Sequence, residues 1–266
     1  MPAAFLYDDV IARAASVTAS AATVPTMPLS NLQDPQPRVR TRFMGSTAAI
    51  LFDLGASRPL DCVAPLSGTL TASATIRVRL STADNTGAAG DAWDSGVGPA
   101  ATGDEANGNV VVVRAAGPAT GRYLLVEVTD AALAEIDIGL VVAGALWRMT
   151  RAQSWGYQED RMILDRRDRN GFTGAEFPAP ALSNPRFAAF ETRYLGVSEI
   201  ATQYRAMVRR NGAVRDVLWV PDTGLSRAEM NIRSIWGAVV QPGQVDGMTR
   251  TAFPGWSRSW RVVERL

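Results

Sequence analysis

Residues 31–68 read NLQDPQPRVRTRFMGSTAAILFDLGASRPLDCVAPLSG. The segment opens on a turn, Asn-Leu-Gln-Asp-Pro. It passes through Arg38, Arg40 and Arg42 at alternate positions and then carries two apolar runs, ILFDL and LDCVAPL. Short apolar runs bounded by Gly, Pro, Asn and Asp predict strands joined by turns. Working outward, the same signals place strands at 48–54, 60–66, 74–81, 109–115, 122–129 and 136–142. Arg77, Val78, Arg79 and Leu80 alternate polar with apolar, as a half-exposed strand does. Val110, Val111, Val112 and Val113 do not alternate, which predicts a strand buried on both faces or in a sandwich core. Short strands with turn signals between them, and no convincing helix, predict a β-sandwich. The Gly-rich stretch 84–108 reads as a long loop with a short strand around Trp93.

The flanks differ. Residues 1–30 hold Phe5, Leu6 and Tyr7 and then a Val/Thr/Ala/Ser-rich run that fits an extended segment or edge strand. Pro25 and Pro28 close it. After about residue 147 the pattern becomes more polar. Strands are predicted at 187–195, 214–220, 232–240 and 256–264. Between the first two, Val197, Ile200, Ala201, Tyr204, Met207 and Val208 recur at spacings of three and four, giving a helix over 197–211 with one apolar face. Ser198 is its expected cap, Glu199 sits in its first turn, and Asn211-Gly212 ends it. The reading is therefore mainly β. A sandwich over 1–147 is followed, over 148–266, by a β-barrel or sheet with one flanking helix.

Composition narrows the function classes. The chain has 266 residues, no histidine and one cysteine. General-base work would fall to carboxylates, and the common zinc ligand sets are excluded, while an all-oxygen calcium site stays open. All 27 basic residues are arginine, forked planar donors suited to interfaces. Residues 1–145 hold 9 Arg against 14 acids, and residues 146–266 hold 18 Arg against 12. That asymmetry suits two domains and head-to-tail pairing of copies, and it lacks the concentrated basic patch of a sequence-specific nucleic-acid binder. No apolar run approaches the ~18 residues of a membrane span. The start, MPAAFLYDDV, has no basic stretch ahead of an apolar one, so a secretory leader is not expected.

The motif order carries a resemblance. Asn31-Leu32-Gln33-Asp34-Pro35 precedes a basic stretch and a strand ending Asp53-Leu54-Gly55. Trp93-Asp94-Ser95-Gly96 follows, then GRYLLVEV at 121–128 and a closing strand at 135–142. This order resembles discoidin-like (galactose-binding-like, jelly-roll) sandwiches, in particular those at the front of tail-tip proteins of tailed bacteriophages and gene transfer agents. The second half, a sheet with one helix, resembles the tail-tube-like domain of distal-tail proteins. The resemblance implies a structural virion protein of a tail tip or baseplate, made in the host cytoplasm, needing no cofactor. It implies a homo-oligomeric ring, a hexamer, contacting tail tube, hub and fibre proteins. Host-surface glycan attachment is a second implied role. A stand-alone carbohydrate-binding module is the alternative, and a carbohydrate-active hydrolase a third reading.

Candidate residues follow from chemistry. Trp93, with Asp91 and Asp94 beside it, is the best single candidate for a sugar platform. The competing reading has Trp93 plugging one end of the sandwich. Arg38, Arg40 and Arg42 share one face of an extended segment, either as a subunit contact or as a charged guard against edge pairing. Arg166, Arg167 and Arg169 alternate with acids in a run that reads as a salt-bridged surface or subunit contact. The acid pairs Asp8-Asp9, Asp104-Glu105 and Glu159-Asp160 read as solvated or ion-paired, and no catalytic or metal-binding set is assigned. Cys62 reads as a small core residue. Trp147, Trp155 and Tyr157 are expected at the domain junction, and Trp219, Trp236, Trp256 and Trp260 in core or subunit interface.

Overall fold

The computed structural model describes residues 3–100, 107–151, 153, 157–162, 167–169, 172–178, 184–212, 214–240, 249–250 and 256–265. Asp104, Glu105, Trp155 and Arg166 lie outside the described residues.

Period-two patterning builds the outer layer. In Thr47–Leu60, residues Ala48, Ile50, Phe52 and Leu54 are buried and the residues between them are not. The strand pairs with Ser16–Ala19 on one side and Ala119–Thr129 on the other. Thr75–Ser81 and Trp93–Asp94 complete the path, and Gly98–Pro99 also pairs with Thr75–Ser81. The opposing layer consists of Thr41–Met44 with Glu135–Ile138, and of Cys62–Leu66 between Leu140–Gly144 and Val112–Val113. Phe52, Leu124 and Val126 from one layer meet Phe43, Val63 and Ile136 from the other in a single apolar core. The expected sandwich is present, and the fold is mainly β.

Cys62–Leu66 and Leu140–Gly144 are buried at every position. A strand with one wet face alternates; one covered on both faces does not. Val63, Val141 and Ala143 enter the sandwich core. Cys62, Ala64, Leu66, Leu140 and Val142 point the other way, into a second cluster with Ala4, Leu6, Leu218, Val220 and Trp236. Those partners belong to a further sheet ordered Trp147–Arg148, Ala4–Leu6, Val217–Val220, Ile235–Val239, Trp256–Glu264, Arg186–Leu195, Gln158–Arg161. Its described strands form an open path. On its far face Phe5, Trp147, Phe190, Trp219 and Trp260 meet Ile200, Tyr204 and Met207 of the helix. Ring centroids lie 5.0 Å apart for Phe5–Trp260 and 5.4 Å for Phe190–Trp219.

The division at residue 147 is corrected at both ends. Ala4–Leu6 lies in the second sheet, with Phe5 opposite both Trp147 and Trp219. The reason is its composition: all its residues are apolar, and a position inside that sheet buries Leu6 toward the sandwich and Phe5 toward the helix. A polar tie reinforces the junction. Asp61 is fully buried, accepts from the Leu146 backbone N–H at 2.7 Å, and ion-pairs with Arg148. Arg148 in turn donates to the Arg114 carbonyl at 3.0 Å.

The helix spans 197–211 as predicted, with differences inside. Gly196 takes the cap position without a side-chain bond, so Ser198 is not the cap, and Ile200–Tyr204 forms a π turn. Glu199 is buried and accepts from Trp147 Nε1 at 2.9 Å and from Thr150 Oγ1 at 2.6 Å, pinning the first turn to the junction. A further short helix, Arg227–Arg233, occupies part of a segment read as loop and strand, and the strand there is confined to Ile235–Val239. Its signal was in the sequence: Ser226 and Glu229 form a reciprocal capping box.

Phe5→Ala is expected to lower stability by about 3–5 kcal/mol, as for other buried phenylalanines, and to do so in one cooperative urea transition. A biphasic curve whose later step is unshifted would show that the sandwich is stable without the second sheet.

A candidate ligand cleft at the seam

The chain leaves the second sheet at Leu6 and crosses the seam as a strap. Only glycine at 144 permits this path, because a Cβ there would collide with the Asp8 carbonyl oxygen. Val10 N–H donates to the Ala143 carbonyl at 2.8 Å. The Asp9 carboxylate accepts from the Ala143 and Ile11 backbone N–H groups, each at 3.0 Å. The short turn Ile11–Arg13 follows, and Gln33 secures it by donating to the Ile11 carbonyl at 2.7 Å.

Across from the strap stand the end of the helix (Arg210, Asn211), then Arg215 and Asp216, with Trp236 and Arg265 behind. Between them lies a cavity of about 630 Å³, with Tyr7, Leu32, Leu140 and Val141 also in its walls. That size falls within the range of small-molecule sites. Asp8 bridges Arg13 and Arg210. Asp216 pairs with Arg265, yet burial still pushes its carboxyl up. Tyr7 donates its hydroxyl to Gln203 at 3.0 Å, and burial raises that hydroxyl too.

Three polar atoms of these lining residues have no partner. Trp236, Asn211 and Asp216 are only 5%, 7% and 9% exposed, but Trp236 Nε1, Asn211 Oδ1 and Asp216 Oδ1 make no hydrogen bond. The Asn211 amide is oriented by its Nδ2, which donates to the Asp216 carbonyl at 3.2 Å. Buried polar atoms are nearly always paired, and one left unpaired costs about 1–3 kcal/mol. All three atoms are also enclosed, with almost no accessible surface of their own.

The residues singled out from sequence sit elsewhere. Trp93 is 7% exposed and packs in the sandwich core, opposite Leu80. It offers no open stacking face, since an indole gains more by filling a core than by standing in water. Asp94 grips the Arg77 guanidinium at 2.6 and 3.0 Å, which holds its carboxyl down at about 2. Asp91 accepts from the Thr82 backbone N–H at 3.0 Å and from its hydroxyl, which lowers it. Both acids fasten the loop. Arg42 forks onto Asp137 at 2.7 and 2.9 Å and reaches Glu135 at 2.8 Å, so its charge is met within the chain. Arg40 donates to Ser67 at 3.2 Å, and Arg38 is exposed. Arg167 and Arg169 lie on a strand opposite Pro178 and Glu176. Glu159 of the mixed-charge run accepts from Arg233 at 2.9 Å and from the Tyr157 hydroxyl. Cys62 is fully buried and its thiol is pushed up by desolvation. Among the described residues no group of three acidic or thiol side chains gathers as a metal site, and no helix is long and apolar enough to cross a membrane.

The chain matches no protein-family model and no curated protein. Solved structures do align. Chitosan-binding module 1 from a chitosanase/glucanase of Paenibacillus sp. IK-5 covers 51% of this chain and 98% of its own, with 17% identity and a TM-score of 0.38. The lectin domain of lectinolysin, solved with Lewis B antigen, covers 53% and 99%, with 16% identity and a TM-score of 0.39. A Ruminococcus gnavus GH29 fucosidase in complex with fucose covers 53% of this chain and 27% of its own, with 16% identity and a TM-score of 0.42. At these values the likeness is one of fold alone.

Asp9 gives the cleft a pH signature. Desolvation pushes its carboxyl up to about 6, outweighing the backbone N–H groups that favour the charged form. The folded state thus holds this proton more tightly than the unfolded chain, whose carboxyl titrates near about 3.9. Asp9 therefore favours folding most at low pH, and that contribution is lost as pH rises through about 6. Asp53 and Asp94, held at about 2 by Arg122 and Arg77, act in the opposite sense and only at lower pH. In Asp9→Asn, which keeps the accepting oxygen, the urea midpoint should lose this component between about pH 4.5 and pH 7. Parallel midpoint curves for the two proteins would argue against a desolvated Asp9 carboxyl. Trp93→Ala is expected to cost about 3–5 kcal/mol of stability, read by thermal melting. An unshifted melt with glycan binding abolished would restore Trp93 as a platform.

Proposed function

We propose that this chain is a non-catalytic glycan-binding protein whose sandwich is mounted on a second sheet, with the seam cleft as its binding groove. The observation that carries this reading is the seam cavity of about 630 Å³, which brings Tyr7, Gln33, Gln36, Arg13, Arg210 and Arg215 together in its walls. A saccharide hydroxyl both donates and accepts, so vicinal hydroxyls can satisfy acceptors and a donor set side by side. Tyr7, half-buried in the wall, supplies ring surface, an arrangement suited to the apolar face of a pyranose. No step of bond cleavage is assigned to the site.

The larger role we propose is that of an adaptor in a phage or gene-transfer-agent tail tip. Specifically, we propose a ring of six copies contacting tube, hub and fibre proteins. The specific observation favouring an adaptor over a stand-alone module is the path of Ala4–Leu6. It runs within the second sheet and, with Leu6 against the sandwich, welds the two units into one body. Weak single-site binding would then act through many copies held on one particle.

A glycan array on the purified chain tests the binding role, with Arg215→Gln as the control because it changes an exposed side chain of the cleft lining and leaves the core untouched. Binding by the native chain that the variant loses at least about tenfold, the scale of one hydrogen bond from a charged donor, supports the cleft. An array with no signal overturns it. The adaptor role is checked by native mass measurement and electron microscopy. A strict monomer that is absent from purified particles would remove the tail assignment and leave a binding module.

A further inference from the structure

Residues outside the cleft lining also hold the seam. Asn231, fully buried in the short helix Arg227–Arg233, reaches the sandwich. Its Oδ1 accepts from the Val111 backbone N–H at 2.7 Å, and its Nδ2 donates to the Ala100 carbonyl at 3.2 Å. Asn107 reaches the other way: its Nδ2 donates at 2.8 Å to Glu264 Oε2 on the last strand. Glu264 is buried, and the cation it meets among the described residues is Arg186, buried as well. Asn107 is followed by Gly108, and both take left-handed backbone angles, φ 52° and 71°. A Cβ on residue 108 would strike the Gly68 carbonyl oxygen, so that position requires glycine. A left-handed residue ahead of it favours Asn, Asp or Gly. Of these, Asn brings a side-chain donor to Glu264.

Those constraints write an Asn-Gly pair into the seam. In such a pair the following backbone nitrogen attacks the side-chain amide readily, because glycine puts no Cβ in the way. The chain holds three such pairs. Asn211-Gly212 is protected: Asn211 is buried, and the Gly212 N–H is tied to the Val208 carbonyl at 2.9 Å. Asn170-Gly171 lies outside the described residues. Asn107 and Gly108 are half-buried, and the Gly108 N–H enters no backbone hydrogen bond among the described residues. We propose that Asn107 is a deamidation site that acts as a one-way latch on the seam. Gly108 N bonds to Asn107 Cγ as the Cγ–Nδ2 bond breaks, and the departing nitrogen leaves as ammonia with the proton that Gly108 N gives up. Water then opens the cyclic imide to aspartate or isoaspartate. Neither step needs an oxidant or a reductant. A donor facing Glu264 thereby becomes a second carboxylate beside the single Arg186 guanidinium. Like charges at hydrogen-bond distance repel, and a buried acceptor that loses its donor is costly. The bond to Glu264 holds the amide while the seam is closed. Each opening releases it to react, and the product resists closing again. This latch does not depend on the glycan reading of the cleft.

The test is ageing of the purified full chain in mildly alkaline buffer, with its tryptic peptides weighed over time. The peptide holding Asn107 is expected to gain one dalton before the peptide holding Asn211 does. Asn107→Asp tests the consequence directly, since Asp keeps the shape and accepts a left-handed backbone. The Val111 and Arg186 backbone N–H groups donate to Asn231 and Glu264. Their hydrogen exchange is expected to be about tenfold faster in that variant, the scale of one buried acceptor left without its donor. Adding Glu264→Gln to Asn107→Asp supplies a donor again and should return part of that protection. Should that double variant fail to fold, the ageing and the single variant still decide. No gain at Asn107 over a period in which the urea-denatured chain converts, or conversion of Asn211 first, would overturn the site. Exchange in Asn107→Asp as slow as in the native chain would overturn the latch.

Discussion

Cys62–Leu66 and Leu140–Gly144 form a sheet with no wet face, and the rest of the molecule is arranged around that fact. Their odd and even residues feed different cores. Val63 and Val141 complete the sandwich, while Ala64, Leu66 and Val142 require a cover of their own. Exposing that second face would leave a contiguous apolar patch of the kind soluble proteins avoid. The second sheet exists, physically, as the cover, and its own far face must then be covered by the helix. Each layer creates the apolar surface that the next one buries.

The polar ties follow the same geometry. Where strands cross from one unit to the other, backbone groups lose water and must find partners. Asp61 meets the Leu146 N–H and Arg148, and Glu199 meets Trp147 and Thr150. Both acids lie at the junction. Removing either would leave a buried group unanswered, the costly direction for a buried ion pair. The cleft opens where this layering ends. Sandwich, strap and second sheet diverge there, and Trp236, which packs in the seam cluster through its ring, closes part of the cavity wall.

Much of this was legible in the chain. The alternation in 48–54 and 74–81 reports one-sided burial directly, and the helix at 197–211 announces itself by its three-and-four spacing. The unbroken valines at 110–113 signalled two-sided burial; Val110 and Val111 do enter opposite cores, although only Val112–Val113 is paired as strand. The capping pattern at Ser226 and Glu229 stood in the sequence, but the helix it starts was not predicted. The place of Ala4–Leu6 was not readable, since three apolar residues fit any sheet and only the partner decides. Trp93 shows the limit for sites. An aromatic between aspartates looks the same in sequence whether its ring faces solvent or core.

The mainly β class, the sandwich, the rough positions of several of its strands and the flanking helix were determined by sequence alone. They depend on local periodicity, and local periodicity is written in adjacent residues. The tertiary structure alone decided that the first strand belongs to the last sheet. It alone brought Asp9, Arg13 and Leu32 against Asn211, Asp216 and Trp236 around one cavity. Those groups are some two hundred positions apart in the chain, and no local pattern encodes which surfaces a two-faced sheet will recruit to cover it.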